Sequence, residues 1–191
     1  METYLVWAVL VALAEMGDRT QLLAIILASR YRKPVPILLG IFVATLGNHG
    51  LAAMAGFFLS NLLSAVWFKY AVSLSFVAMA LWALVPDKAE AEDKVGTHHW
   101  GIFLTTTVTF FLVEIGDKTQ IATVALAARF HDVLLVTAGT TTGMMIANIP
   151  AVLLGHGVTR ALPIRWLQVG AALIYLGLGL WGVAAAAGWV R

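Results

Sequence analysis

The chain has 191 residues, of which 61% are hydrophobic and only 12% charged, with a net charge of +2 and a mean hydropathy of +0.89. Soluble domains carry about a quarter charged residues, so this composition is that of a membrane protein and excludes a soluble enzyme or carrier. The absence of cysteine excludes disulfides, thiolate metal sites and cysteine nucleophiles, and no basic run interleaved with aromatics suits nucleic acid.

A membrane-spanning helix needs roughly 20 mostly apolar residues. Six such stretches are predicted in chain order: 4–29, 35–59, 64–86, 101–128, 133–158 and 165–189. The expected fold class is therefore an all-α integral membrane protein with six transmembrane helices. The first stretch follows Glu2 rather than a basic n-region, and it holds Glu15 and Asp18 where a signal peptide would be apolar. It reads as a retained helix. Its polar word is EMGDRTQ, from Glu15, and the fourth stretch carries EIGDKTQ, from Glu114. The segment from Asp87 to Trp100, DKAEAEDKVGTHHW, is the one strongly polar stretch and reads as a solvated linker. Its His98–His99 pair offers weak metal binding as the alternative.

The two words lie 99 residues apart, and the offset continues without a gap. Arg30 matches Arg129, Gly40 matches Gly139, Gly56 matches Gly155, Trp67 matches Trp166 and Trp82 matches Trp181. Between Glu15 and Arg30, eight of sixteen positions are identical to their counterparts. This is the mark of a duplicated three-helix unit: residues 1–86, a linker at 87–100, and residues 101–191. An odd number of helices per unit sends the second copy into the membrane from the opposite side. Two inverted repeats with a binding site near the midplane are a recurring transporter architecture. Seven lysines and arginines (Arg30, Arg32, Lys33, Lys88, Lys94, Arg160, Arg165) fall on one side and three (Lys69, Arg129, Arg191) on the other. The positive-inside rule makes the first side, with the linker, cytoplasmic and puts both termini outside.

Glu15, Asp18, Glu114 and Asp117 are the acidic residues deep in apolar spans. A charge at the bilayer centre costs at least about 2.5–3.5 kcal/mol, so these groups are expected to face one another, water or a cation. A spacing of three puts both acids of each word on one face of a helix. Gly17 and Gly116 permit close approach or local unwinding. Across the repeat axis the four carboxylates are expected to gather, as a site for a hard divalent cation such as Ca²⁺, Mn²⁺ or Mg²⁺. Thr20, Thr119, Gln21 and Gln120 offer further neutral oxygens, while Arg19 and Lys118 offset charge when no cation is bound. Crowded carboxylates repel one another and hold protons until a metal displaces them, which is a physical route to antiport. Structural ion pairs fixing helix register are the alternative.

The doubled Glu-x-Gly-Asp-Lys/Arg-Thr pattern in a chain of this length resembles the GDT family of cation transporters. The resemblance covers essentially the whole chain. It implies export of Mn²⁺, or Ca²⁺ next, in exchange for protons. It also implies a cation site at Glu15, Asp18, Glu114 and Asp117, with Gly17, Arg19, Thr20, Gly116, Lys118 and Thr119 in support. No enzyme activity or bound cofactor is implied; the partners are the metal ion, protons and the lipid bilayer, and nothing in the pattern specifies an oligomeric state. With no long N-terminal extension the chain resembles a bacterial-type member, which places it in the inner (plasma) membrane. An uncoupled divalent-cation channel or uniporter, and an exporter of a cationic organic solute, are the competing readings.

Secondary candidates are Asn48, His49 and Asn148, which either pack helices through hydrogen bonds or support the site. His156 suits an interfacial role. The threonines at 105–107, 109 and 140–142 either bond to carbonyls one turn back or line a polar path. Met54, Met79, Met144 and Met145 offer adaptable packing or a soft sulfur favouring Mn²⁺ over Ca²⁺. Trp67, Trp100, Trp166 and Trp189 read as interfacial anchors.

Overall fold

A computed structural model describes residues 2–62, 66–85, 101–155 and 164–190. The linker with His98, His99 and Trp100, and also His156 and Arg160, lie outside the described residues. Among the described residues the fold is all-helical, with eight helices: α1 (Glu2–Glu15), α2 (Arg19–Tyr31), α3 (Pro34–Leu62), α4 (Val66–Ala83), α5 (Gly101–Glu114), α6 (Lys118–Phe130), α7 (Val133–Leu154) and α8 (Ile164–Ala186). Four of them, α3, α4, α7 and α8, are long and apolar enough to cross a membrane.

The stretches predicted at 4–29 and 101–128 are not continuous helices. Each is broken at its polar word, into α1 and α2 and into α5 and α6. The break has the same local cause in both. Gly17 has φ +86° and Gly116 φ +78°, the left-handed region that residues with a Cβ adopt only at a cost. Asp18 and Asp117 then turn extended, at φ −82° and −73°, before the next helix starts. The amide N–H of Gly17 donates to Gln21 Oε1 (2.9 Å), and that of Gly116 to Gln120 Oε1 (2.6 Å). A donor freed by the break thus finds an acceptor one turn on. The second half-helices also end alike, with Arg32 and His131 as left-handed C-caps at φ 51° and 57°.

The halves interlock. α3 packs along α5 and α6, α7 packs along α1 and α2, and α4 packs along α8. Glycines set the closest approaches, as is common between membrane helices. A Cβ on Gly40 would meet the Phe103 carbonyl oxygen at 2.9 Å, and one on Gly139 the Tyr4 carbonyl oxygen at 3.2 Å. Gly56 abuts the Val124 carbonyl and Gly143 the Ala8 carbonyl still more tightly. Two apolar clusters flank the interior, one around Trp7, Phe76, Leu126 and Tyr175, the other around Leu23, Ile25, Ile37 and Phe110. Large apolar side chains such as Leu62, Leu134 and Trp166 lie outside, while the motif carboxylates are inside. That is the inverse of a soluble protein and suits a surface facing lipid. Trp67, Trp166 and Trp189 are exposed near helix ends, as anchors should be.

Candidate metal centre

The two breaks bring the acids together from helix ends rather than from a helix face. Glu15 is the last residue of α1, and Asp18 is the N-cap of α2. Asp117 is the N-cap of α6, and Glu114 closes α5. The expectation of one continuous face is therefore replaced by a different geometry. The C-terminal, partly negative ends of α1 and α5 favour a cation, and the N-terminal ends of α2 and α6 stabilise the two aspartates. Neither aspartate uses its side chain to cap its helix. Their oxygens stay available for other work.

Three of the four carboxylates converge. Glu15, Asp18 and Asp117 are buried and offer ligand oxygens that all lie within 4.8 Å of one another. Glu114 stands outside that group. Its two oxygens accept from Thr45 Oγ1 (3.0 Å) and Asn48 Nδ2 (3.2 Å), both on α3. The four-carboxylate cluster expected from the sequence is thus three, with the fourth held by hydrogen bonds. Oε1 of Glu15 and Oδ1 of Asp18 are buried and accept no hydrogen bond. A buried carboxylate oxygen that accepts no hydrogen bond is costly, so these two atoms, of which Asp18 Oδ1 has only the Lys118 ammonium at 3.8 Å, could serve as ligands for a cation.

The cations cross between repeats. Arg19 Nη2 donates to Asp117 Oδ1 at 2.8 Å, and Lys118 Nζ lies 3.8 Å from Asp18 Oδ1. Lys118 also donates to the Val85 carbonyl just beyond α4, at 3.4 Å. The Thr20 hydroxyl donates to Glu15 Oε2 and that of Thr119 to Asp117 Oδ2 (3.2 Å). The threonines thus support the carboxylates, as their place in the motif suggests. The glutamines do otherwise. Their Oε1 atoms are engaged by the glycine amides, and their Nε2 atoms donate to the Ala147 carbonyl and Asn48 Oδ1. Gln21 and Gln120 staple the breaks to α7 and α3.

Of the secondary candidates, Asn48 lies beside the centre, bonding Glu114, the Phe111 carbonyl and Gln120. His49 is buried with neither ring nitrogen hydrogen-bonded. Asn148 bonds back to the Met144 carbonyl and Sδ of its own helix. Thr106, Thr107 and Thr140 bond to carbonyls one turn back, the packing alternative. Thr45, which donates to Glu114, is a neighbour of the acids that the sequence reading misses. Its signal is a position three residues before Asn48, on the same face of α3.

The sequence model of the divalent cation/proton antiporter GDT1 family matches residues 3–91 and again 102–189. The chain belongs to the GDT1 family. Each of the two matched segments carries one copy of the polar word. Among relatives, a Vibrio cholerae protein named "Putative manganese exporter" is 47% identical over 171 residues, covering 89% of this chain and 84% of the relative. A GDT1-like protein of Synechocystis is 31% identical over 195 residues, covering 87% and 90%. GDT1-like protein 5 of Arabidopsis thaliana is 25% identical over 205 residues, covering 88% and 89%. No solved structure matches the chain. As a GDT1 antiporter the chain is an integral membrane transporter that exchanges a divalent cation for protons.

Proposed function

We propose that this GDT1 antiporter exports Mn²⁺, with Ca²⁺ as the next cation, through the centre formed by Glu15, Asp18 and Asp117, with Glu114 beside it. The observation that carries the reading is the convergence of three buried carboxylates from both repeats, two of them with an oxygen that accepts no hydrogen bond. The name of the Vibrio cholerae relative supports Mn²⁺ as the cargo. In this reading α1/α2 and α5/α6 each cross the membrane as a broken pair, which gives six spans with the four long helices. The units are 1–86 and 101–191, joined by a cytoplasmic linker at 87–100, with both termini outside the inner membrane of a bacterium.

The packing supports inversion. α7 runs beside α1 in the same direction, since Gly139 lies at Tyr4 and Gly143 at Ala8. α3 runs beside α5 and α6 likewise, since Gly40 lies at Phe103 and Gly56 at Val124. Only Arg32–Lys33 and His131–Asp132 join each broken pair to its long helix, and each connection is taken as a reversal. In this reading the two broken pairs run antiparallel.

The hypothesised cycle follows from competition for the same oxygens. Without metal, the carboxylates are offset by Arg19, Lys118 and protons. An arriving divalent cation takes Glu15, Asp18 and Asp117 and releases protons. The loaded protein rocks between repeats, the metal leaves outside, and protons re-enter the site before the return. Purified protein in proteoliposomes tests this. Mn²⁺ flux should rise severalfold with an opposing proton gradient, and protons should move the other way in step. Flux that ignores the gradient would instead favour the uncoupled channel or uniporter.

A further inference from the structure

The two halves of the centre are not alike on the side that faces the long helices. α7 lies on α1 as α3 lies on α5, position by position. Gly40 faces the Phe103 carbonyl and the Thr106 side chain; Gly139 faces the Tyr4 carbonyl and the Trp7 side chain, each 99 residues removed. In that register the α7 counterparts of Thr45 and Asn48, the two residues that hold Glu114, are Met144 and Ala147 (45 + 99 and 48 + 99). Neither side chain can donate a hydrogen bond. Glu15 accordingly takes the Thr20 hydroxyl on Oε2 and nothing on Oε1, whereas both oxygens of Glu114 are engaged. By register, Met144 with its thioether thus stands where the other repeat has Thr45 with its hydroxyl.

Met144 is fully buried, and its Sδ accepts from Asn148 Nδ2 at 3.1 Å. Asn148 also donates to the Met144 carbonyl (3.0 Å), and its own Oδ1 has no hydrogen-bond partner. The amide therefore restrains a side chain that is usually mobile.

We propose that Met144 is a specificity-determining residue whose thioether, held by Asn148, faces the cation on Glu15 and selects divalent transition metals over Ca²⁺ and Mg²⁺. Ca²⁺ and Mg²⁺ require oxygen ligands and lose by exchanging a hard oxygen for sulfur. First-row transition cations tolerate a softer donor, increasingly so beyond Mn²⁺ in the series. The inference rests on the proposed site at Glu15, Asp18 and Asp117.

The test is competition in proteoliposomes: proton-driven Mn²⁺ flux, challenged with Ca²⁺ and with Mg²⁺, in wild type, Met144→Thr and Met144→Leu. Met144→Thr copies the other repeat's residue, and Met144→Leu conserves volume, so packing is preserved in at least one variant. In both, Ca²⁺ should inhibit at roughly tenfold lower concentration relative to Mn²⁺ than in wild type. Thermal stabilisation of the purified proteins by Mn²⁺ against Ca²⁺ should shift in the same sense, independently of transport. A Mn²⁺:Ca²⁺ ratio unchanged in both variants overturns the role of Met144 while leaving the transport reading intact. A wild-type protein that moves no divalent cation overturns both.

Discussion

Glu15 and Glu114 hold equivalent places in the two repeats, yet their surroundings part them. Glu114 is tied by Thr45 and Asn48 and stands outside the group of convergent ligands, whereas Glu15 is inside it with a free oxygen. Replacing a ligand should therefore differ from replacing a tethered neighbour. Glu15→Gln and Asp117→Asn should each abolish Mn²⁺ flux and remove Mn²⁺-dependent thermal stabilisation; wild-type behaviour of both would remove them from the site. Thr45→Val acts through Glu114 and should weaken apparent Mn²⁺ affinity by about 10- to 100-fold, the usual range for a residue that orients rather than ligates. Proton competition has a definite sign. Lowering the pH on the metal-loading side protonates the carboxylates, so the Mn²⁺ concentration for half-maximal flux should rise as pH falls. An affinity that is flat between about pH 6 and 8 would argue against shared oxygens. The identity of the acids was legible in the sequence, because carboxylates in apolar spans are too costly to keep without a cation or a counterion to hold. The withdrawal of Glu114 was not, because its donor Thr45 lies 69 residues away and meets it only through the packing of α3 on α5.

At the scale of the element, the motif is a device for stopping a helix and starting another. A glycine with positive φ, an extended aspartate and a glutamine returning to the freed amide occur in that order at Gly17–Gln21 and Gly116–Gln120. Alanine at Gly17 or Gly116 is pushed into the left-handed region and should cost roughly 1–2 kcal/mol each. Thermal melts in detergent should show both variants destabilised, with transport impaired beyond the loss of folded protein. No Cβ crowding confounds Gly116, since nothing lies within 4 Å of one built there. Gly56→Leu fails for another reason, collision with the Val124 backbone, and should separate α3 from α6. Hydropathy marked the apolar stretches but ran through the breaks, because a window of apolar residues carries no record of two backbone angles. The repeated glycine is the sign the sequence offers, and it permits unwinding without dictating it.

At the scale of the molecule, the 99-residue register extends beyond the sequence to the breaks, the C-caps and the contacts of Gly40 and Gly139, which recur at matched positions. The 99-residue duplication itself was legible from identity alone, whereas the breaks and the C-caps were not. The partnering of long helices with the opposite repeat's broken pair was not, because contacts between distant segments leave no local pattern. The crossed ion pairs have a consequence for ancestry. Arg19 serves Asp117, and Lys118 serves Asp18, so each half supplies the counterion that the other lacks. A lone three-helix half would strand its aspartate in the bilayer. On the inverted-repeat reading proposed above, the precursor of this chain is two identical copies inserted upside down to one another, fused later and then free to diverge at single positions. Separate polypeptides for residues 1–86 and 101–191, produced together in one cell, should assemble and restore metal resistance, and either alone should be degraded.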